Sequence, residues 1–165
     1  MNPRIDHRKA SPGAMEAMLG LERYVHQSGL PENLLNLVRL RVSQINGCAY
    51  CIDMHSKDLR AAGEPEQRLY LLDAWREAPF YTDQERAALA WAEAVTLITE
   101  GHVPDDVYVQ ARAEFSEQEL IDLTVAIVAI NGWNRLSISL RSVPGSYQPR
   151  RTAKATPAEL EPAHV

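Results

Sequence analysis

Apolar residues recur every three or four positions along most of this chain, and that spacing is typical of amphipathic helices. No segment alternates apolar and polar residues between hairpin turns, so no strands are expected. The sequence therefore predicts an all-α fold with the following helical stretches: 13–28, 31–45, 48–62, 65–75, 86–98, 104–113, 120–130 and 133–140.

Several helix ends are marked by residues with known positional preferences. Capping boxes, in which two side chains satisfy backbone N–H groups at a helix start, are predicted at Thr82-x-x-Glu85 and Ser116-x-x-Glu119. The pair Asn131-Gly132 is expected to interrupt the last apolar stretch. Residues 120–130 are apolar nearly all round, which is typical of a helix buried centrally or against a neighbouring subunit.

The length and charge of the chain restrict its organisation and its partners. With 165 residues it is long enough for one domain with its own core. We expect a helical domain at 1–142 and a C-terminal extension at 143–165, rich in proline, alanine and charge and packed on a neighbouring subunit. A net charge of −5 gives no basic face for nucleic acid. No run of about 18 apolar residues and no signal-peptide core are found, so a cytoplasmic protein without a membrane span is predicted.

Cys48, Cys51 and His55 are the residues predicted to carry the chemistry. Steps of three and four residues place them on one face of a helix that begins just after Asn46-Gly47. Free N–H groups at a helix N-terminus stabilise a thiolate, and a histidine one turn away can accept a proton. A second thiol can then close a disulfide with the oxidised first one. The helix dipole favours Cys48 as the attacking thiol, whereas the spacing to the histidine favours Cys51.

Two other interpretations of the cysteine pair compete with redox chemistry. Buried cysteines are often inert apolar residues. The motif Cys-x-x-Cys-x-x-x-His also offers three zinc ligands, but a structural zinc site takes a fourth. The remaining histidines are scattered singly and supply no second pair: His7, His26, His102 and His164. Two thiols facing one histidine make both alternatives less favoured, so neither a metal nor a cofactor is expected.

The segment RLRVSQINGCAYCIDMH at 39–55 resembles the carboxymuconolactone decarboxylase superfamily and, more narrowly, its alkylhydroperoxidase D-like branch. The resemblance continues through WREAPF at 75–80, ALAWAE at 88–93 and INGWNR at 130–135, and covers about residues 3–141. It implies an AhpD-like helical bundle that assembles through apolar helices into a trimer or hexamer. It also implies a thiol-dependent peroxidase or disulfide reductase activity.

The same resemblance implies a role for each residue of the motif. Carried over by position, Cys51 is the peroxidatic thiol, Cys48 the resolving thiol and His55 the proton-transfer group. This chain has Asn36 where the family prototype has a glutamate and Tyr50 where it has a histidine, so the prototype's proton relay is incomplete here. Three carboxylates are candidates to complete it: Glu32, Asp53 and Glu93.

The sequence thus predicts a peroxidase-type thiol oxidoreductase. Its substrate would be a peroxide or a small disulfide, and a cellular thiol would supply the electrons. A carboxymuconolactone decarboxylase-like lyase is one alternative, because that reaction needs no cysteine. A non-enzymatic redox-sensing oligomer is the other.

Overall fold

The computed structural model describes residues 2–149, and within that range the chain contains helices, turns and loops but no strand. The α-helices are α1 (His7–Ala10), α2 (Pro12–Gln27), α3 (Glu32–Asn46), α4 (Ala49–Ala61), α5 (Glu66–Tyr70), α6 (Asp83–Thr96), α7 (Asp105–Glu114) and α8 (Glu117–Leu140). Short 3-10 turns follow α5 and α6, at Leu72–Ala74 and Ile98–Glu100. The all-α prediction is confirmed, and both predicted capping boxes are present, at the starts of α6 and α8.

Helices α3 and α8 form the centre of the bundle. Helix α3 packs against α4, α6 and α8, while α2 packs against α8. Leu35 and Val38 of α3 are fully buried together with Leu123, Ile127 and Ile130 of α8. Because α4 contacts both central helices, its first turn is held against a rigid apolar core.

The expected break at Asn131-Gly132 is wrong, since α8 continues without interruption to Leu140. The Asn131 side chain donates to the Ile127 carbonyl oxygen and to Thr96, which holds it inside the helix. Gly132 serves close packing, because a Cβ at this position would lie 2.9 Å from the Met18 methyl carbon. Tertiary contacts therefore outweigh the turn preference of the pair.

Helix α8 is long and apolar enough to cross a membrane when judged by length and composition alone. The same properties belong to the core helix of a soluble bundle. Here α8 packs against α2, α3, α4, α6 and α7, and its inward face belongs to the core.

Both ends of the described chain lie near α4 and α8. The Arg4 amide donates to the Leu140 carbonyl oxygen at 3.0 Å. After α8, the Gly145 amide donates to Asp53 at 2.9 Å, and the Tyr147 hydroxyl donates to Asp58 at 2.7 Å. The first part of the predicted extension, 143–149, thus packs on α4 of its own chain, while residues 150–165 lie outside the described residues.

Candidate active site

The turn between α3 and α4 positions the two cysteines. Gly47 ends α3 in the left-handed region at φ 68°, which a residue with a side chain rarely adopts. Cys48 follows as the N-cap of α4, and its sulfur accepts a hydrogen bond from the Cys51 amide at 3.4 Å. Cys48 therefore lies just before the helix rather than within it, and Cys51 lies in its first turn.

The two thiols are buried, each with about 1% of its surface exposed, and the Cys51 amide donates to the Cys48 sulfur at 3.4 Å. The neighbouring Cys51 thiol is the largest cause that lowers the pKa of Cys48, to about 7, and the Cys51 amide lowers it further. The interaction with Cys48, followed by burial, raises the pKa of Cys51. Hydrogen bonds from Asn134 and Ser137 of α8 lower the pKa of both thiols. Near neutral pH the pair therefore begins to carry a negative charge, which the N-cap position of Cys48 and the Cys51 amide favour on the Cys48 sulfur.

The lowered pKa of Cys48 gives a first testable expectation. In reduced protein, the rate of alkylation by iodoacetamide should rise with pH about a midpoint near 7, rather than near the value of about 8.5 for a free cysteine. Mass spectrometry of samples quenched at each pH measures this rate. In Cys51→Ala, Cys48 loses the thiol donor, so the midpoint should move upward. A wild-type midpoint near 9 would contradict the described pair.

His55 lies one turn after Cys51 on α4 and is only 6% exposed. Neither ring nitrogen has a hydrogen-bond partner among residues 2–149. Burial, with a smaller contribution from the positive charge of Arg39, lowers the pKa of His55 to about 3. The ring is therefore neutral at physiological pH, with one donor nitrogen and one acceptor nitrogen.

A cavity of about 660 Å³ opens beside these residues. One face of α4 lines it through Cys51, Met54, His55 and Asp58, which have the i, i+3, i+4, i+7 spacing of a single helical face. Cys48 is not among the lining residues. Cys51 is therefore the thiol on the cavity wall, while Cys48 is the thiol with the lowered pKa.

Asn36 and Tyr50, the two departures from the family prototype, also line the cavity. Asn36 donates to Glu32 at 3.2 Å and accepts a long contact of 3.5 Å from Arg39. Where the prototype has a carboxylate, this chain thus has an amide side chain that contacts both Glu32 and Arg39. Tyr50 is half-buried and packs against the apolar core.

Sequence reasoning missed the part of the site that comes from α2. Glu22 lines the cavity and accepts hydrogen bonds from Arg39 and from the Trp133 indole, both at 2.9 Å. These partners are 17 and 111 residues further along the chain. No local motif marks Glu22, because only tertiary packing brings the three side chains together.

Of the three candidate carboxylates, the structure brings Glu32 alone to the cavity. Asp53 anchors the C-terminal segment and pairs with Lys57 at 2.9 Å. Glu93 accepts hydrogen bonds from Trp75 at 2.9 Å, from Arg41 at 2.7 Å and from Arg76. These bonds outweigh burial and lower the pKa of Glu93. Glu93 therefore supports the packing of α3 on α6 and is absent from the cavity wall.

Glu93→Ala should lower the free energy of unfolding by about 2–4 kcal/mol, because Arg41 and Trp75 would lose their buried acceptor. The rate of thiol oxidation should stay unchanged at temperatures where the variant is folded. Urea titration measures the first quantity, and stopped-flow reaction with peroxide measures the second. A loss of thiol reactivity without a loss of stability would place Glu93 in the reaction instead.

No group of three or more histidine, cysteine, aspartate or glutamate side chains arranged to hold a metal ion occurs in the described part of the chain. The site is that of an all-helical protein with a paired-thiol motif at a helix N-terminus, beside a cavity of ligand size.

The carboxymuconolactone decarboxylase family matches residues 12–94, and this chain belongs to that family. Uncharacterized protein YdfG of Bacillus subtilis is 44% identical over 140 residues, which cover 85% of this chain and 95% of YdfG. A crystal structure of a protein of unknown function from Agrobacterium tumefaciens, whose suggested role is that of the antioxidant defence protein AhpD, superposes with a TM-score of 0.85. That protein is 49% identical, and the match covers 88% of this chain and 100% of the other.

A more distantly similar protein has the same fold. The debrominase Bmp8 superposes with a TM-score of 0.75 at 22% identity, over 84% of this chain and 74% of Bmp8. At this level of identity the likeness concerns the fold alone. The resemblance of the sequence to the AhpD-like branch is thus confirmed, and some of the similar proteins carry the names of enzymes.

Proposed function

We propose that this protein is a thiol-dependent peroxidase or disulfide oxidoreductase that cycles between the Cys48 and Cys51 dithiol and its disulfide. The observation that carries the proposal is the buried thiol pair at the start of α4, with the Cys51 amide bonded to the Cys48 sulfur and Cys51 on the wall of the cavity. The antioxidant role suggested for the relative from Agrobacterium tumefaciens also supports it. Peroxide or small disulfide is the proposed substrate class, and a cellular thiol is the proposed reductant.

The first step of the proposed cycle begins with proton transfer within the pair. The Cys51 thiol passes its proton to the neighbouring Cys48 thiolate, which leaves a thiolate on the cavity side. This thiolate attacks the outer oxygen of a hydroperoxide, ROOH, and the O–O bond breaks. Cys51 becomes a sulfenic acid, and the leaving alkoxide takes up a proton from solvent water to become ROH. The neutral ring of His55 donates a hydrogen bond to that leaving oxygen.

The second step uses the charge-stabilising position of Cys48. Its thiol gives up a proton again, and the sulfur attacks the Cys51 sulfenic acid to form the disulfide and release water. Two thiol groups of an external reductant then restore the dithiol and leave as their own disulfide. Because the N-cap position stabilises the Cys48 thiolate, it also makes Cys48 a good leaving group in this reduction.

The test is steady-state consumption of hydrogen peroxide and of an organic hydroperoxide by the reduced protein, with a dithiol as electron donor. Wild type should turn over, and Cys48→Ser/Cys51→Ser should show only the background rate of the buffer. If both proteins convert a carboxymuconolactone at equal rates, the lyase alternative is correct. If wild type oxidises once but never turns over, while its assembly state changes, the redox-sensor alternative is correct.

We also propose that the active form is a cytoplasmic homo-oligomer, a trimer or a hexamer. A dithiol that must be re-reduced suits a reducing compartment. Large apolar side chains on the outer face of α8 are exposed, among them Ile121 and Val128, and such a face suits burial by another copy of the chain. Light scattering coupled to size-exclusion chromatography decides this, since a monomeric mass at micromolar concentration would refute it.

A further inference from the structure

Two arginines line the described cavity wall, and only Arg39 is buried, with 8% of its side chain exposed. Two carboxylates already occupy it. One terminal nitrogen donates to Glu22 at 2.9 Å, and the other donates to Glu32 at 3.1 Å. A substrate carboxylate entering the cavity would have to displace one of these acids in order to reach Arg39.

The remaining charged groups of the wall do not change this balance. The described wall has four carboxyl groups, those of Asp6, Glu22, Glu32 and Asp58, against two guanidinium groups, those of Arg8 and Arg39. Arg8 is exposed. His55 is buried and adds no positive charge, since its ring is neutral. Beside the buried Arg39, the cavity thus offers an incoming anion the half-buried carboxylate of Glu22 and the more exposed carboxylate of Glu32, and the Arg39 charge is already paired with both.

The rest of the wall suits an uncharged organic molecule. Apolar side chains line it from three helices: Leu19 of α2, Met54 of α4, and Ile130, Trp133 and Leu140 of α8. A volume of about 660 Å³ is far above the roughly 10–15 Å³ that one water molecule needs. Beside Cys51, the unpartnered nitrogens of His55 offer one donor and one acceptor, which matches an uncharged hydroxyl or hydroperoxyl group.

We infer that Glu22 and Glu32 determine specificity by closing Arg39 to substrates, so that the cavity accepts uncharged organic hydroperoxides or disulfides and rejects carboxylate-bearing ones. The inference rests on the proposed function and adds to it a charge filter built from residues outside the cysteine motif. Rejection has two physical sources, the loss of a pairing partner for the substrate anion and the repulsion from two nearby carboxylates.

The experiment compares cumene hydroperoxide with its para-carboxylate, which differ by one negative charge on the same aromatic framework. Wild type should prefer the uncharged compound in kcat/KM by about 10-fold or more, the scale of one unpaired charge. Glu22→Gln keeps an acceptor for Trp133 but removes one charge from Arg39, so the preference should shrink by about 10-fold. Glu32→Gln, which changes the other partner of Arg39, provides a second variant if the first does not fold.

The matched control is Glu16→Gln, which removes one carboxylate from the same helix. Glu16 is 66% exposed, pairs with Arg23 and does not line the cavity. This variant should leave the substrate preference unchanged. An equal shift in Glu16→Gln and Glu22→Gln would mean that net charge, rather than the Arg39 pairing, sets the preference, and would overturn the inference.

A binding measurement separates this inference from the proposed function. The alcohol 2-phenyl-2-propanol and its para-carboxylate cannot react with thiols, and their binding is followed by tryptophan fluorescence, since Trp133 lines the cavity. If no hydroperoxide is turned over, the proposed function fails, but the charge filter still predicts tighter binding of the uncharged alcohol in wild type and not in Glu22→Gln. Equal affinity of wild type for both alcohols would refute the filter.

Discussion

Cys51→Ser is expected to reduce peroxide-dependent turnover by about 10³-fold or more, because it removes the thiol on the cavity wall. Cys48→Ser is expected to lose turnover as well, but each chain should still consume one equivalent of hydroperoxide, more slowly than wild type because Cys51 has lost its proton acceptor. The remaining Cys51 is oxidised to a sulfenic acid and has no partner thiol with which to form a disulfide. Stopped-flow kinetics and a sulfenic-acid trapping reagent measure these two outcomes.

This pair of variants also decides between the two attack orders that the sequence left open. The lowered pKa of Cys48 favours that residue as the thiolate, whereas contact with the cavity favours Cys51 as the attacking group. The account requires the proton to move before the attack. If Cys51→Ser retains the stoichiometric reaction and Cys48→Ser loses it, the attack order is reversed and Cys48 is the peroxidatic thiol.

His55 is expected to make the folded protein strongly sensitive to acid. Its pKa is lowered to about 3 in the folded state, mainly by burial, from a value of about 6.5 in the unfolded chain. Between pH 6.5 and pH 3 the unfolded state therefore binds a proton that the folded state does not bind. The stabilising contribution of the neutral ring is complete above pH 6.5 and is lost as the pH falls towards 3, by about 1.4 kcal/mol per pH unit.

Urea titrations of wild type and His55→Gln between pH 7 and pH 4 measure this contribution as a difference. Carboxylates elsewhere titrate in both proteins and cancel in the comparison. Wild type should lose stability more steeply than His55→Gln by close to one proton per chain below pH 6.5. Parallel curves would show that the ring accepts a proton in the folded state, and would contradict a buried neutral histidine.

Most of the helices could be predicted from local patterns in the sequence. The spacing of apolar residues and the capping boxes at Thr82 and Ser116 predicted helices that the structure contains, because both signals depend on neighbours within one or two turns. The short α1 was not predicted, since its four residues include none that is buried. The false break at Asn131 had the opposite cause, because its polar side chain is satisfied by distant groups that a local rule does not consider.

The candidate site also contains a part that local spacing predicts and a part that it does not. The positions of Cys51 and His55 on one face of α4 follow from their spacing alone. The clamp of Glu22 and Glu32 on Arg39 does not, because its members come from two helices and from both sides of a loop. Glu93 looked equally suitable in the sequence, yet three donors from α3 and the segment after α5 hold it away from the cavity.

The central claim is that Cys51 and Cys48 exchange electrons with a substrate in the cavity. The most direct measurement is intact and peptide mass spectrometry of fully reduced protein after one equivalent of cumene hydroperoxide, with free thiols blocked at low pH. We expect each chain to lose the mass of two hydrogen atoms, and one peptide to contain an intramolecular Cys48–Cys51 disulfide. Two alkylated, unoxidised cysteines after prolonged exposure to excess hydroperoxide would contradict the account.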